Sequence, residues 1–365
     1  MLRVLPSFMY HSISRRPGRM HVSPELLDEQ CRVLARSGWR GISLAEAEDC
    51  LLRGKRLPPK ACLFTFDDGY LDNCVYAEPI LRRHGHCGVI FPVLNFVEQR
   101  EDTLQDTEPE DLHLPRTVLR DSFRVQNIRC CSWSELRRMR AGGAMAAAPH
   151  SLNHGRVVSS LAFSRLRDFE DVSGFFDVPP YDAPWGMPIF PTGYALSTRG
   201  YRLNPALADL VREHVPQHAK AAGVFLADAK KRETLLAAMG KLPWLGRQET
   251  EEAFRARLYE EFTACRRIFA EQLGESPLSF CWPWGSFCRE SVEEAERAGF
   301  RLFFCTGRTG GAYRLGRAVR RFGVRFYTTP ENLLAKARFF SIAPFGVLYA
   351  CLARLWKRSL VLKRA

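Results

Sequence analysis

One stretch constrains this chain more than any other: Cys62-Leu63-Phe64-Thr65-Phe66-Asp67-Asp68-Gly69-Tyr70. An apolar run of strand type drives into two adjacent carboxylates, and a glycine stops it. Successive strand side chains point to opposite faces, so an uninterrupted strand would separate Asp67 from Asp68. Both reach one site only if the strand ends there and Gly69 lets the backbone turn. Two acids where a buried strand opens into a loop are costly to place without a metal or another cation nearby. One can ligate a metal while its neighbour takes a proton from the bound water. The alternative for an isolated pair is an aspartate capping the next helix beside a solvated neighbour.

His150-Ser151-Leu152-Asn153-His154 decides between the two. Imidazoles at i and i+4 fall on one side of a helical turn and can share a metal. With one carboxylate they make three protein ligands and leave a position open for water. At these residues the chain resembles the polysaccharide deacetylase family (NodB-homology domain, carbohydrate esterase family 4). TFDDG and H-S/T-x-x-H are that family's first two motifs, and both stand here intact. Cys281-Trp282-Pro283-Trp284-Gly285 resembles its third, R-x-P-Y-G in many members. Phe8-Met9-Tyr10-His11-Ser12-Ile13 resembles the YHS start of one branch, and the resemblance covers most of residues 4–328.

The chain's 365 residues suffice for one barrel-sized domain or two smaller ones, and 46% hydrophobic with 25% charged residues is ordinary globular composition. The net charge of +13 comes mainly from arginine and favours anionic partners: nucleic acid, lipid headgroups or phosphorylated carriers. Twelve cysteines without a CxxC spacing, most within apolar runs, suggest free buried thiols and a reducing compartment. Only a short mixed segment precedes His11, so a cytoplasmic setting is expected.

Along the chain, residues 3–13 read as a first buried strand ending at His11. Ser23-Pro24 predicts a helix start, while Ser43 to Glu46 and Ser132 to Glu135 spell capping boxes. Tyr76 to Arg83 predicts the helix after TFDDG, and Cys87 to Val93 the next strand. Strand, helix, strand at this spacing argues a parallel sheet. Two stretches, 95–130 and 175–250, read as insertions: an acidic loop, then a loop rich in proline and aromatics with weak helices around Ala206–Val215 and Lys230–Met239. Phe345, Leu348, Tyr349, Leu352, Leu355 and Trp356 share one helical face ahead of Lys357, Arg358, Lys363 and Arg364. That pattern suits an interfacial helix at the inner face of a membrane or a helix docked on the barrel.

The resemblance implies an irregular (β/α) barrel of about seven parallel strands, spanning residues 1–338 with the two insertions, and a C-terminal helix over 339–365. It implies removal of an N-acetyl group from an amino sugar, in a surface polysaccharide or a lipid-linked glycan. Asp68, His150 and His154 would hold one divalent ion, zinc by their nitrogen-rich ligation. Asp67 would be the general base, and the backbone N–H of Trp284 an oxyanion donor. Tyr70, Trp282 and Pro283 are the expected substrate contacts. Cys281 stands where many members carry an arginine that orients the base. No histidine follows His218, so the late histidine that many members use as general acid is missing, and His11 is the expected replacement. An imidazole near two carboxylates is expected to have a raised pKa. A same-fold glycan binder without turnover is the second reading. A nucleic-acid binder is the third, and scattered arginines without a zinc finger, RNA-recognition motif or basic helix argue against it.

Overall fold

The computed structural model describes residues 3–15, 18, 20–99, 118–120, 123–125, 129–168, 183–306, 312–313 and 319–342. Its frame is seven strands: β1 (Ser7–Tyr10), β2 (Ala61–Asp68), β3 (Gly88–Pro92), β4 (Met145–Ala147), β5 (Ser279–Cys281), β6 (Leu302–Thr306) and β7 (Val319–Gly323). They pair in the order β5-β6-β7-β1-β2-β3-β4, and every neighbouring pair is parallel. The sheet curls until its edges meet, where the Cys281 N–H donates to the Pro149 carbonyl at 3.0 Å. This is the irregular parallel barrel that the family resemblance implied. All eight residues of β2 are buried, which explains why Ala61 to Phe66 are apolar but for Thr65: both faces of the strand are covered.

Alternation along the strands sorts the side chains into two cores. Leu63, Val89, Phe91, Cys281, Phe304 and Val319 fill the interior of the barrel. Phe8, Tyr10, Phe64, Phe66, Phe280 and Phe303 face the opposite way, into the surrounding helices. Those helices include α1 (Pro24–Arg36), α3 (Glu78–Arg83) and α4 (Trp133–Ala141), each on a crossover between strands, whereas α2 (Leu44–Leu51) packs Leu44, Ala47 and Leu51 against the interior core. The Ser23 cap on α1 and both capping boxes form as the sequence predicts. Ahead of α3, residues Asn73–Ala77 wind into a wider π-type turn, so the predicted helix begins earlier and irregularly.

Among the described residues of the second insertion, 183–250, the two expected helices form and a third joins them. Three helices, α5 (Pro205–His214), α6 (Ala219–Ala227) and α7 (Ala229–Gly240), enclose a core of their own around Leu207, Val211, Ala222, Leu235 and Met239. Two hairpin-like pairs tie this lobe down: Arg156–Val158 with Thr192–Tyr194, and Tyr201–Leu203 with Gly246–Gln248. The chain then returns through α8 (Glu251–Leu273), α9 (Arg289–Arg297) and α10 (Pro330–Ser341). Helix α10 runs unbroken past Arg338, so the barrel's last helix takes in the first residues assigned to the tail. The basic amphipathic segment 345–364, the acidic run Glu101 to Asp111 and Pro179-Pro180-Tyr181 lie outside the described residues. No described helix is long and apolar enough to cross a membrane.

Candidate active site

The C-terminal ends of parallel strands share one mouth, and β1, β2 and β5 carry motif residues to it. Asp67 is the last residue of β2 in ordinary extended geometry, and its carboxylate points into the barrel. Asp68 would face the opposite way, but its backbone is left-handed, with φ of 72°. The turn that brings both acids to one site therefore starts at Asp68 itself, one residue earlier than the sequence suggests. Gly69 continues it at φ 78°, and a Cβ there would lie 2.8 Å from the Pro92 Cα. Only glycine meets both demands.

The histidine segment is a bent loop where a helical turn was expected. Ser151 and His154 both have positive φ, 72° and 52°. Three contacts hold this strained shape. The Ser151 Oγ accepts from the His154 N–H at 2.8 Å, the Leu94 N–H donates to the Ser151 carbonyl at 3.0 Å, and the Leu152 N–H donates to Glu261 on α8 at 2.7 Å. Burial raises the Glu261 carboxyl, with that N–H opposing. Nothing in the sequence marks Glu261, because its partner is 109 residues away.

Asp68 Oδ1 lies 3.6 Å from the Nε2 of His150 and 3.7 Å from that of His154. It is buried and has no hydrogen-bond partner, while the Tyr70 hydroxyl donates to Oδ2 at 3.0 Å. His150 Nδ1 meets the Cys281 carbonyl at 2.9 Å, which fixes a proton on Nδ1 and leaves Nε2 its lone pair. Burial lowers His150 to about 4 and His154 well below the usual imidazole range, so both rings are neutral at pH 7. Burial, then the neighbouring Asp67 charge, pushes Asp68 up to about 7. An orphaned carboxylate oxygen facing two neutral imidazole nitrogens is a set of donors that a divalent cation fits.

Beside it, Asp67 is gripped by Arg321 of β7. The guanidinium donates from Nη1 to Oδ1 at 2.6 Å and from Nη2 to Oδ2 at 2.9 Å, and Nη1 also reaches Thr65 Oγ1 at 3.0 Å. Burial pushes the Asp67 carboxyl up, but Arg321 and His150 outweigh it and hold it well below the usual range. Cys281 joins the same cluster, its sulfur 3.0 Å from Arg321 Nη2 and 3.8 Å from Asp67 Oδ1. Burial keeps that thiol protonated. The arginine missing from the third motif is thus replaced, in space, by one from another strand. Sequence reasoning passed over Arg321 because it stands among many arginines, next to Arg320, with no motif around it.

His11 follows β1, and its backbone carbonyl accepts from Asn73 at 2.9 Å. Asp72 secures the same turn by accepting from Ser12 Oγ at 2.6 Å and from the Ile13 N–H at 3.0 Å. His11 Nδ1 is buried with no hydrogen-bond partner. The raised pKa expected for this ring is reversed. Burial lowers it to about 4, and the opposing pull of Asp67 does not make up the difference.

Trp284 sits at the mouth with φ of 59°, ahead of Gly285 at 66°. A Cβ on Gly285 would collide with Thr306, 2.6 Å from its backbone nitrogen. The indole rests 4.7 Å from the His154 ring. The two residues before it are corrected. Trp282 is fully buried among Phe262, Phe280 and Phe303, and Pro283 is buried too, so neither offers a surface to substrate. Cys281 faces the barrel interior, and alternation sends Trp282 into the helix layer. Tyr70 is also buried and reaches the site only through Asp68.

A near-closed parallel barrel with an Asp-His-His cluster and a second, arginine-held aspartate at its mouth is the arrangement that the resemblance to polysaccharide deacetylases implied. Residues 54–169 match the family model described as Polysaccharide deacetylase. Poly-beta-1,6-N-acetyl-D-glucosamine N-deacetylase of Escherichia coli (strain K12) is 27% identical over 285 residues, which are 78% of this chain and 31% of that protein. The chain spans about a third of the length of the curated relatives it matches. A de-N-acetylase from Aggregatibacter actinomycetemcomitans shares the fold with a TM-score of 0.61 and 18% identity, over 91% of this chain and 99% of that one. The BpsB deacetylase domain from Bordetella bronchiseptica does so with a TM-score of 0.55 and 18% identity, over 87% and 95%.

Proposed function

We propose that this chain hydrolyses the N-acetyl group of an amino sugar within a glycan, using a divalent ion held by Asp68, His150 and His154. The observation that carries the reading is the Asp68 Oδ1 atom, orphaned and facing both Nε2 atoms, with a separate anionic carboxylate beside it. When bound, such an ion, zinc in our reading, polarises an acyl carbonyl and acidifies water. Asp67 accepts the proton of the attacking water. The two hydrogen bonds from Arg321 fix its direction, so the base does not swing toward the ligand cluster. The Trp284 N–H donates to the developing oxyanion. His11, neutral at rest, would take over the proton that Asp67 accepts from the water and pass it from Nδ1 to the leaving nitrogen.

The relative from Escherichia coli is named for removing N-acetyl groups from poly-beta-1,6-N-acetyl-D-glucosamine, and the same class of bond is proposed here. We place the reaction in the cytoplasm, on a polysaccharide or lipid-linked precursor, with residues 345–364 as a peripheral membrane contact. The eleven cysteines among the described residues form no disulfide, in agreement with a reducing compartment. Acetate release from N-acetylated oligosaccharides and lipid-linked glycans, measured with and without a chelator, tests the reading. Chelator-sensitive release supports it. Glycan binding with no release by metal-loaded protein would leave the same-fold binder instead.

A further inference from the structure

We propose that Arg156, Tyr194 and Trp284 form a subsite for a negatively charged group on the substrate, next to the sugar that reacts; this rests on the deacetylase reading. The subsite begins with chain geometry. Arg156 follows the metal-ligand candidate His154 by two residues and opens a short strand, Arg156–Val158. That strand pairs antiparallel with Thr192–Tyr194 from the helical lobe, and Tyr194 is the partner directly opposite Arg156. Residues directly opposite in such a pair project from the same face. The Arg156 guanidinium accordingly lies over the Tyr194 ring, 5.6 Å from its centroid.

Tyr194 in turn stacks on Trp284 with centroids 5.5 Å apart and planes 26° from parallel, and Trp284 packs on His154. Cation, phenol, indole and ligand imidazole therefore form one continuous row leading away from the Asp68 cluster. Both aromatic rings are open to solvent, Tyr194 at 37% and Trp284 at 39% exposure. An exposed aromatic face beside a glycan-processing site offers apolar area to the C–H face of a pyranose ring.

The cation is the informative member. Arg156 makes one long hydrogen bond, Nη2 to the Thr192 carbonyl at 3.5 Å, its Nε is buried without a partner, and no carboxylate among the described residues pairs with it. Other arginines of this region are compensated. Arg257 holds Glu249 at 2.6 Å, and Arg255 meets Glu251, Glu293 and Glu294. The guanidinium lies over the Tyr194 ring and has N–H capacity beyond its single long hydrogen bond, which suits a carboxylate or phosphate. The net charge of +13 favours the approach of such a ligand. The recognised chemistry is an oxyanion attached to the sugar: the carboxylate of a neighbouring uronate, or the phosphate of a glycosyl-phosphate carrier.

The test compares three probes against metal-loaded wild type and Arg156→Gln by titration calorimetry: a neutral chito-oligosaccharide, a hyaluronan oligosaccharide of matched length, and a diphosphate-linked N-acetylglucosamine. Wild type should bind at least one anionic probe about tenfold more tightly than the neutral one. Arg156→Gln should collapse that margin, and Arg156→Lys should restore part of it. The probe that carries the margin identifies carboxylate or phosphate. Equal binding of all three by wild type, or an equal loss for neutral and anionic probes in Arg156→Gln, overturns the proposal. Acetate release is read in the same samples. An Arg156-dependent anion preference without release would sink the deacetylase reading and keep the subsite, whereas release with no anion preference would do the reverse.

Discussion

Arg321 grips Asp67 through two parallel hydrogen bonds across the barrel interior, although the residues are 254 positions apart in sequence. Both are buried, so neither charge is stable there alone. The pair keeps Asp67 anionic and fixes which way its lone pairs point. A base so stabilised is weak as an acceptor but always available, and the Cys281 thiol beside it adds a second, softer contact.

Arg321→Gln should therefore raise the Asp67 pKa, because burial then acts on it with its main opposing charge removed. The sign is definite: the acidic limb of the kcat/KM profile should move to higher pH, with metal content retained. Stability should fall by about 3–5 kcal/mol, the cost of breaking a buried pair on one side. An acidic limb at the wild-type position in a folded, metal-loaded variant would remove Arg321 from the mechanism.

The two adjacent aspartates should separate cleanly. Asp67→Asn is expected to keep the metal and lower turnover by about two to four orders of magnitude, the range for loss of a general base. Asp68→Asn and His154→Ala should lose metal as well, by elemental analysis of the purified proteins. Identical metal content and identical turnover in the two aspartate variants would refute the division of roles.

For His11, the buried Nδ1 and the lowered pKa of about 4 predict a neutral ring in the resting protein. Nitrogen-15 NMR of metal-free protein should show His11 unprotonated at pH 6, and His11→Ala should lower turnover with metal binding intact. A ring found protonated at neutral pH would restore the simpler picture of a standing acid.

His86 offers a pH test away from the site. Its Nδ1 accepts the Gly41 N–H at 3.0 Å and its Nε2 meets the Cys31 carbonyl at 3.0 Å, an arrangement that only the neutral ring satisfies. Burial lowers its pKa from the ordinary 6.5. A depressed folded-state value means that stability from this group is complete above 6.5 and drains away as pH falls below it. Urea midpoints should decline from pH 7 to pH 5, and the decline should be shallower in His86→Gln. Parallel curves would show that other groups control acid sensitivity.

What the sequence determined by itself is local. The unbroken burial of β2, the Ser23 cap, the capping boxes at Ser43 and Ser132, and the need for Gly69 all follow from forces acting over a few residues. Asp68, His150 and His154 were legible for the same reason: adjacent acids and histidines four apart carry their chemistry in their spacing. Tertiary structure decided the rest. Whether Trp282 faced substrate or core depended on the strand parity set at Cys281, and the protonation of His11 depended on how much of the barrel closes over it. Residues 183–250 folded into a lobe because their apolar side chains found one another across a long stretch of chain. Arg321 became part of the site only when β7 paired beside β1, one strand from Asp67. Contacts between residues hundreds of positions apart leave no periodicity or spacing to read, so only the closed sheet could reveal which arginine holds the base.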